Sequence, residues 1–395
     1  YFEHVWAVHP IADIPEGRPL SYEGFRVSTL EFSENQTVIE GLSAYFRILR
    51  LSVPINFLVS QLRFVSYLIT LVRRQRIAIV LSTDPYFSGL IGLSVKFFTG
   101  IPLVIWVCGN FDAAFQATGI PAMPRLFRWR WIEKVVERIV LREADLVAGG
   151  NQDNLEFALR NGATLTKSTV FPIGKLIHRQ HLKEPKLRSV DGLLVDGENG
   201  TIKRYWFIYI GQLVEAKHPD DVLRAFSVIE RSVPNSALIM AGDGTMRSSL
   251  ETMAMNLGIR SKVNFLGYVS QQRLANILGG CFAVLSPLTG RSLLEGALAG
   301  LPIVAYDRDW QTEFVSNAGA GVIVPFRDWQ AMGDAALNLV RHPVDARGMG
   351  EASRREALKR CDLDAIYNHE RREFDKLLKR SRREPILGSE MVKST

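Results

Sequence analysis

The chain contains two blocks in which short, solidly apolar segments alternate with stretches of helical periodicity. The first block extends over residues 25–175 and the second over residues 206–325. Strands that are apolar on both faces are typical of a parallel sheet with helices packed on both sides. The pattern therefore predicts an α/β protein with two doubly wound, Rossmann-like domains that face each other across a cleft at the carboxyl ends of their strands.

The composition marks the boundaries of these domains. We expect an N-terminal domain over residues 1–180, a polar linker or loop over 181–204 and a C-terminal domain over 205–345. Residues 346–395 contain apolar side chains that fall on one helical face, and we expect this helix to return to the N-terminal domain before a basic tail. The chain begins with Tyr1 and a predicted buried strand follows at once, so we expect upstream residues with a first strand to be missing.

The basic residues are concentrated in the N-terminal part of the chain. The formal net charge is +7, and residues 1–190 hold 22 Lys and Arg against 16 Asp and Glu. This excess favours an anionic partner, such as a phosphorylated acceptor or a membrane surface. No run of Lys and Arg with interleaved aromatic residues supports binding to nucleic acid.

Residues 55–72 form the most apolar predicted helix. A narrow polar stripe that includes Asn56, Gln61 and Arg63 would be costly in hydrocarbon. We therefore expect a helix packed in the core rather than one at a membrane interface, and not a spanning helix.

Neither the cysteines nor the histidines have the spacing of a metal site. Cys108, Cys281 and Cys361 are far apart, and their odd number argues against a disulfide framework, which favours a reducing cytoplasm. His178 and His181 lie at the polar linker, where we expect them to be solvated.

The segment 285–307 predicts a phosphate site. Its strand leads through a short loop into a helix over 291–299, so that free backbone N–H groups and the positive end of the helix dipole point into the cleft. Arg291 adds a positive charge there, and Glu295 presents a carboxylate to a ribose diol. An ordinary capped helix with an exposed Arg and Glu is the alternative. The donor-binding residues predicted in this segment are Thr289, Gly290, Ser292 and Glu295.

The segment 208–226 predicts the other side of the same site. Gly211 ends a buried strand, and Lys217 in the next loop can reach a diphosphate from the side opposite Arg291. A single loop lysine is usually solvated, but its pairing with Arg291 favours a role in binding. Four further residues follow the next two strands and are predicted to shape a nucleoside pocket: Gly242, Gly267, Tyr268 and Val269.

These motifs together resemble one known family. The order GQLVEAKxPxxxLxAF, AGDG, VxFLGYV and SLLEGALAGLPIVA is similar to that of group 1 (family 4) retaining glycosyltransferases, which have the two-domain GT-B fold. The resemblance covers the C-terminal half and, more loosely, the N-terminal half through ADLVAGG and VFPIG. It implies that Lys217 and the residue five positions before it bind the nucleotide diphosphate, and that Glu295 holds the ribose.

The sequence also departs from the family pattern. Gln212 stands where the family commonly has Arg, and Pro287 stands where it has the first of two Glu. The strand that usually ends in a catalytic-site His ends in WVCGNFD, which leaves Asn110 and Asp112 as the polar groups that could orient an acceptor. The stretches DPYFSGLIG, GNFD, TGRSLLE and YDRDW resemble a branch of the family that acts on bacterial surface polysaccharides.

A metal site is not expected. Asp307 and Asp309 match the short DxD pattern, but Asp309 could simply cap the helix that begins near residue 310. Lys217 and a helix N-terminus already supply the positive charge that a metal would provide. Glu313 either reaches the donor sugar or stabilises the N-terminus of its helix.

The sequence thus predicts a glycosyltransferase that acts in the cytoplasm, either in solution or at the inner face of an anionic membrane. It would use a UDP- or GDP-sugar, without another cofactor, to glycosylate a glycan or lipid-linked acceptor in cell-surface polysaccharide synthesis. Lys217 and Arg291, with Asn110 and Asp112, are the predicted catalytic residues. A nucleotide-sugar 2-epimerase and a non-catalytic sugar-nucleotide binder are the alternatives, and an NAD dehydrogenase is weaker because no GxGxxG follows a strand.

Overall fold

The computed structural model of the protein describes most of the chain, and its ranges are 2–9, 26–33, 36–42, 53–124, 126–184, 205–288 and 290–383. Several predicted features fall outside these residues. They are the first helical turns proposed after Leu42, most of the linker, Thr289 and the basic tail beyond residue 383.

The N-terminal domain contains two sheets. The first has the order β1-β3-β2, in which β1 is parallel and β2 antiparallel to β3. The second is a parallel sheet with the order β4-β5-β6-β7. The strands are β1 Val5–His9, β2 Arg26–Ser33, β3 Gln36–Leu42, β4 Val80–Ser82, β5 Leu103–Val107, β6 Leu146–Gly149 and β7 Ser168–Val170. The helices are α1 Val53–Gln75, α2 Phe87–Thr99, α3 Phe111–Thr118, α4 Arg130–Glu143, α5 Gln152–Arg160 and α6 Arg179–Leu182.

The C-terminal domain is built on one parallel sheet of six strands, in the order β10-β9-β8-β11-β12-β13. Its strands are β8 Tyr205–Ile210, β9 Ser236–Ala241, β10 Val263–Gly267, β11 Ala283–Ser286, β12 Ile303–Tyr306 and β13 Gly321–Val324. Its helices are α7 Pro219–Ser232, α8 Arg247–Asn256, α9 Gln271–Leu278, α10 Ser292–Leu298, α11 Trp310–Ala318, α12 Trp329–Arg341 and α13 Pro343–Arg360, and α14 Leu363–Arg383 follows. Separate apolar clusters lie on the two faces of this sheet, which confirms the predicted doubly wound α/β fold.

The strand order creates a crevice between β8 and β11. The chain leaves β8 toward β9 and β10 on one side, then returns to β11 and continues to β12 and β13 on the other. The loops after β8 and β11 therefore diverge at the carboxyl edge, which is where ligands bind in open parallel sheets. Both predicted phosphate-binding segments follow these two strands.

The last helix, α14, packs on the N-terminal domain. Phe374 and Leu377 belong to the same buried cluster as Val104, Trp106 and Phe171. Just before this helix, the carbonyl oxygen of Arg360 lies 2.0 Å from the position that a Cβ would take on Gly174. Only glycine allows the two chain segments to approach so closely.

Two elements of the N-terminal domain go beyond the predicted pattern. Leu42 lies at the end of the strand β3, whose segment QTVIEGL pairs with strands on both sides. A further short helix, α3, follows β5, because Asn110 accepts a hydrogen bond from the Ala113 N–H and caps it. The helix α1 buries Phe64, Leu68 and Val72 against β3 and α2, whereas its residues Ile55, Leu58 and Leu62 are exposed, so the predicted packing in the core holds for one side of the helix.

A cluster of charged side chains lies inside the N-terminal domain. Glu133 and Glu137 on α4 are fully buried. Arg130 contacts three carboxylates, with N–O distances of 2.8 Å to Glu133, 3.3 Å to Glu137 and 2.7 Å to Asp112. The Tyr86 hydroxyl donates to Glu137, and this contact together with burial raises the tyrosine pKa far above its ordinary value. The cluster joins three separate segments of the chain through Arg130.

This arrangement predicts a large effect of Arg130→Met on stability. The variant would leave the buried Glu133 carboxylate without its cation and remove one of the two cations that contact Glu137, and breaking a buried pair in this way typically costs about 3–5 kcal/mol. The matched variant Arg142→Met on the same helix breaks an exposed pair with Glu143 and should cost less than about 1 kcal/mol. Urea unfolding of both variants checks the difference, and equal losses would contradict the importance of the cluster.

Candidate functional site

Lys217 lies at the crevice in a short 3-10 turn after β8. The turn Glu215–Lys217 leads into His218, which has the left-handed conformation, and then into α7. The Lys217 Nζ lies 3.8 Å from the position of a Cβ on Gly290, so the two predicted segments meet. Burial lowers the pKa of Lys217, and the carboxyl of Asp309 partly offsets this effect. Lys217 is thus a half-buried cation that faces the loop after β11.

Arg291 lies directly before α10 and is exposed. The helix begins at Ser292, one residue later than predicted, and the positive φ of 66° at Gly290 turns the chain into it. The Ser292 hydroxyl donates to the carbonyl of Ile210 at 2.7 Å, so it ties α10 to β8. Its hydroxyl proton is therefore used within the fold, and a role of Ser292 in donor binding stays a prediction.

Glu295 is buried one turn into α10, with only 4% of its surface exposed. Burial raises the pKa of its carboxyl, while Arg291 and a hydrogen bond from Gln271 act in the opposite direction. Gln271 also contacts the His181 ring at 2.7 Å, and this histidine is buried rather than solvated as expected. The contact links the segment after β7 to the C-terminal domain.

A cavity of 680 Å³ lies beside Gln271, which connects Glu295 to His181. It opens between the segment that follows β7 and the starts of α9 and α10. Three of its residues are cationic, which suits an anionic ligand. The lining residues are Leu176, Ile177, His178, Arg179, Gln180, Lys183, Gln271 and Arg291.

The predicted glycines bring the ends of three strands together. A Cβ on Gly242 would lie 1.8 Å from the carbonyl oxygen of Gly211, and Gly242 forms a bridge with Gly267. Tyr268, which follows them, is exposed, whereas Val269 packs against the core. The fold therefore requires these glycines at the floor of the crevice. Of Tyr268 and Val269, Tyr268 has the side chain that is exposed and can contact a ligand. The Gln212 side chain is exposed at the crevice, while its carbonyl accepts a hydrogen bond from Tyr209.

The two predicted acceptor residues have different surroundings. The Asn110 amide donates to both carboxylate oxygens of Asp153 at 3.1 Å, at the edge of the cleft. Asp112 instead pairs with Arg130 and Lys134. Although partial burial acts against it, hydrogen bonds from Asn161, Arg130 and Lys134 hold the Asp112 pKa below its ordinary value. The Asp112 side chain keeps 34% of its surface exposed at the start of α3, and its role in orienting an acceptor stays a prediction.

Asp309 is a site residue that the sequence pattern suggested only as a helix cap or a metal ligand. It caps α11 through the Trp310 N–H at 2.8 Å, with a positive φ of 60° that is uncommon outside glycine. Its carboxyl lies near Lys217 and near Asp153 of the N-terminal domain. Desolvation by the surrounding protein and the negative charge of Asp153 raise the pKa of the Asp309 carboxyl. A metal remains unsupported, since the described residues contain no group of three or more His, Cys, Asp or Glu suited to one.

Two arginines connect elements near this cleft. Arg308 donates to the carbonyl of Ala113 on α3 at 2.6 Å, so the two domains touch at the lip. Arg360 on α13 pairs with Glu313 at 3.0 Å. This pair links α11 to α13, while the Glu313 side chain stays 41% exposed, and its contact with a donor sugar stays a prediction.

Comparison with known proteins agrees with this architecture. Residues 198–356 match the family model of group 1 glycosyl transferases. The chain is 29% identical over 162 residues to a GDP-mannose-dependent alpha-(1-6)-phosphatidylinositol monomannoside mannosyltransferase of Mycolicibacterium smegmatis, which covers 38% of this chain and 42% of that protein. It is 24% identical over 185 residues to the putative glycosyltransferase EpsD of Bacillus subtilis, covering 45% of each. The chain therefore spans less than half the length of these relatives.

Solved structures establish the fold over nearly the whole chain. Sucrose-phosphate synthase from Thermosynechococcus elongatus superposes with a TM-score of 0.76 and 16% identity, and covers 95% of this chain and 90% of that one. Anabaena HepE in complex with UDP and glucose has a TM-score of 0.66 and 15% identity, with 87% of both chains covered. The protein thus has the GT-B architecture of two Rossmann-like domains.

The position of Lys217 predicts a selective loss of ligand binding. Lys217→Ala should weaken UDP or GDP binding by about 1.5–3 kcal/mol, the range for a charge-assisted hydrogen bond. Its unfolding temperature without ligand should stay unchanged, because the described residues offer Lys217 no ion pair or hydrogen bond that the variant would break. Titration calorimetry checks the affinity. The control Lys262→Ala removes an ion pair with Glu230 at the opposite edge of the sheet and should bind the nucleotide like the parent. If Lys217→Ala also bound the nucleotide like the parent, a role of Lys217 in diphosphate binding would be contradicted.

Proposed function

We propose that the protein is a glycosyltransferase that moves a sugar from a UDP- or GDP-sugar to a glycan or lipid-linked acceptor. The observation that carries this proposal is the meeting of Lys217 and the Gly290 loop in the crevice between β8 and β11. The family match includes both segments. HepE, which shares the fold, is a protein in complex with UDP and glucose, and this supports a nucleotide-sugar donor.

Stabilisation of the leaving group is the main catalytic contribution. When the bond between the sugar and the β-phosphate breaks, negative charge grows on the phosphate oxygens. Lys217, Arg291 and the backbone N–H groups at the start of α10 lie where they can stabilise that charge. Because burial lowers the pKa of Lys217, a bound diphosphate would also supply the counter-charge that its ammonium group lacks.

We propose retention at the anomeric carbon. The acceptor oxygen attacks from the face that the phosphate leaves, its proton passes to a leaving phosphate oxygen, and the new bond keeps the configuration of the old one. This route needs no separate base, and the Asp112 carboxylate is already paired with Arg130 and Lys134. Asn110, held by Asp153 at the lip, is the predicted acceptor-side residue whose side chain remains at the cleft.

The buried carboxyl of Glu295 is suited to a ribose diol. Its ionised form accepts hydrogen bonds from two hydroxyl groups, while Gln271 fixes its orientation. The cationic cavity that Arg291 and Gln271 share would lie beside this nucleoside position. We propose that the reaction requires no metal, because Lys217 and Arg291 provide the positive charge next to the phosphates; unchanged turnover after chelation would support this part.

We place this activity in the cytoplasm at the inner face of the membrane, in cell-surface polysaccharide synthesis. The stretches GNFD and YDRDW, which resemble enzymes of that branch, lie on opposite sides of the cleft and include Asn110 and Asp309. No helix within the described ranges combines the length and the hydropathy needed to cross a bilayer.

A screen of UDP- and GDP-sugars tests the proposed function. We expect one donor to lose its sugar in the presence of the protein, to water or to an added acceptor, with the α configuration of the donor kept in an NMR spectrum of the product. Recovery of an epimerised nucleotide sugar would instead indicate a 2-epimerase. Tight binding without turnover of any donor would indicate a non-catalytic binder.

Arg291 allows a sharper prediction because Gln212 carries no charge. Arg291→Ala should lower turnover roughly 10²-fold or more, the scale seen when one pre-organised donor to a developing charge is removed. Adding Gln212→Arg to this variant should restore part of the loss, since both positions border the same crevice. The exposed Arg347 on α13 provides the control variant Arg347→Ala. Near-normal turnover of Arg291→Ala would mean that Arg291 is only an exposed residue before a helix.

A further inference from the structure

Two adjacent phenylalanines protrude from the end of α2. Phe97 is 81% exposed and Phe98 is 56% exposed. Their rings meet edge to face with centroids 5.1 Å apart. Exposed apolar side chains are common singly, but a paired aromatic projection is typical of a surface that meets another apolar phase.

Three arginines lie close together in sequence at the end of the neighbouring helix α1, and one of them contacts this aromatic pair. Arg73 donates to the carbonyl of Phe98 at 2.9 Å, which fixes the end of α1 beside the end of α2. Arg74 and Arg76 follow within the same turn of chain and are exposed. Within the ranges that the structure describes, these three side chains form no ion pair with a carboxylate. Their charge is therefore available to an external anion.

The exposed face of α4 extends this surface. Trp131, Val135 and Ile139 are four residues apart and all exposed, and Trp131 has 67% of its surface in solvent. The end of α4 is tied to α2 because Lys96 donates to the carbonyl of Glu143 at 2.6 Å. We call the Phe97–Phe98 pair, the three arginines and this stripe the docking face.

The docking face runs from one edge of the N-terminal domain toward the cleft. The helix α4 precedes β6 and crosses back over the sheet, so its first residues lie at the carboxyl edge. The same edge carries α3, which Arg308 of the other domain contacts. Trp131 thus marks the end nearest the cleft, and Phe97 and Phe98 mark the far end.

We propose that the docking face binds an anionic lipid bilayer. The aromatic side chains would enter the interfacial region, while Arg73, Arg74 and Arg76 would contact lipid phosphates. A second copy of the chain fits less well, because a symmetric contact between these faces would bring unpaired arginines of the two copies together. The inference deepens the proposed function, since a lipid-linked acceptor would be presented at this bilayer, but the binding itself does not depend on turnover.

Vesicle flotation of the full chain tests the docking face. Binding to vesicles that contain phosphatidylglycerol should exceed binding to phosphatidylcholine alone, and should fall as salt rises. The triple variant Arg73→Gln, Arg74→Gln, Arg76→Gln should lower the partition coefficient about 100-fold, from the usual contribution of three basic residues near an anionic surface. Phe97→Ser with Phe98→Ser should lower it about tenfold or more.

A matched control comes from the C-terminal domain, where Val344 is also exposed between basic residues. The variant Val344→Ser, Arg341→Gln, Arg347→Gln should bind vesicles like the parent. Equal binding by this control and by the docking-face variants would overturn the proposal. So would self-association of the parent that Phe97→Ser with Phe98→Ser abolishes while vesicles remain unbound. UDP binding measured on the same samples reports the nucleotide site separately, so failure of the proposed function would not be mistaken for failure of docking.

Discussion

The parallel pairing of β8 with β11 is the contact on which the arrangement of the candidate site depends. Phe207 lies beside Ala283 and Ile208 beside Val284 in this register. Because the remaining strands extend in opposite directions from this pair, the chain must turn away to different sides as it leaves β8 and β11. The space between the two exits is left open, and Lys217 and Arg291 come from the two loops that border it. The crevice is thus a consequence of strand order.

In the N-terminal domain, charged side chains form ion pairs with one another within the fold rather than lining a crevice. Arg130 and Lys134 hold the carboxylates of Glu137 and Asp112. These contacts connect α4 to the loop before α2 and to α3, and they fix the start of α3 at the cleft. Asp112 is paired within this cluster, and the neighbouring Asn110 lies at the lip against Asp153. The ionic cluster therefore positions the residues at the start of α3.

Much of the fold could be predicted because buried parallel strands leave a strong apolar signature. The positions of Lys217 and the α10 segment could also be predicted, since a loop that follows a buried strand of a parallel sheet must lie at the carboxyl edge. The partners of single polar side chains were not. Ser292 bonds to Ile210, Glu313 to Arg360 and Asp112 to Arg130, and each partner lies on another element that no local pattern identifies. The sequence pattern therefore could not show that these polar residues, which lie next to the predicted site, also have partners within the fold.

The close contact of Gly174 with Arg360 affects how the two domains are oriented. The chain passes from the N-terminal to the C-terminal domain between residues 184 and 205, and returns between α13 and α14. At this second crossing Arg360, at the end of α13, packs closely against Gly174 in the segment that follows β7. The two domains are therefore in tight contact there. A larger side chain at Gly174 would push the segment that follows β7 away from Arg360, and the orientation of the C-terminal domain relative to the N-terminal domain would change with it.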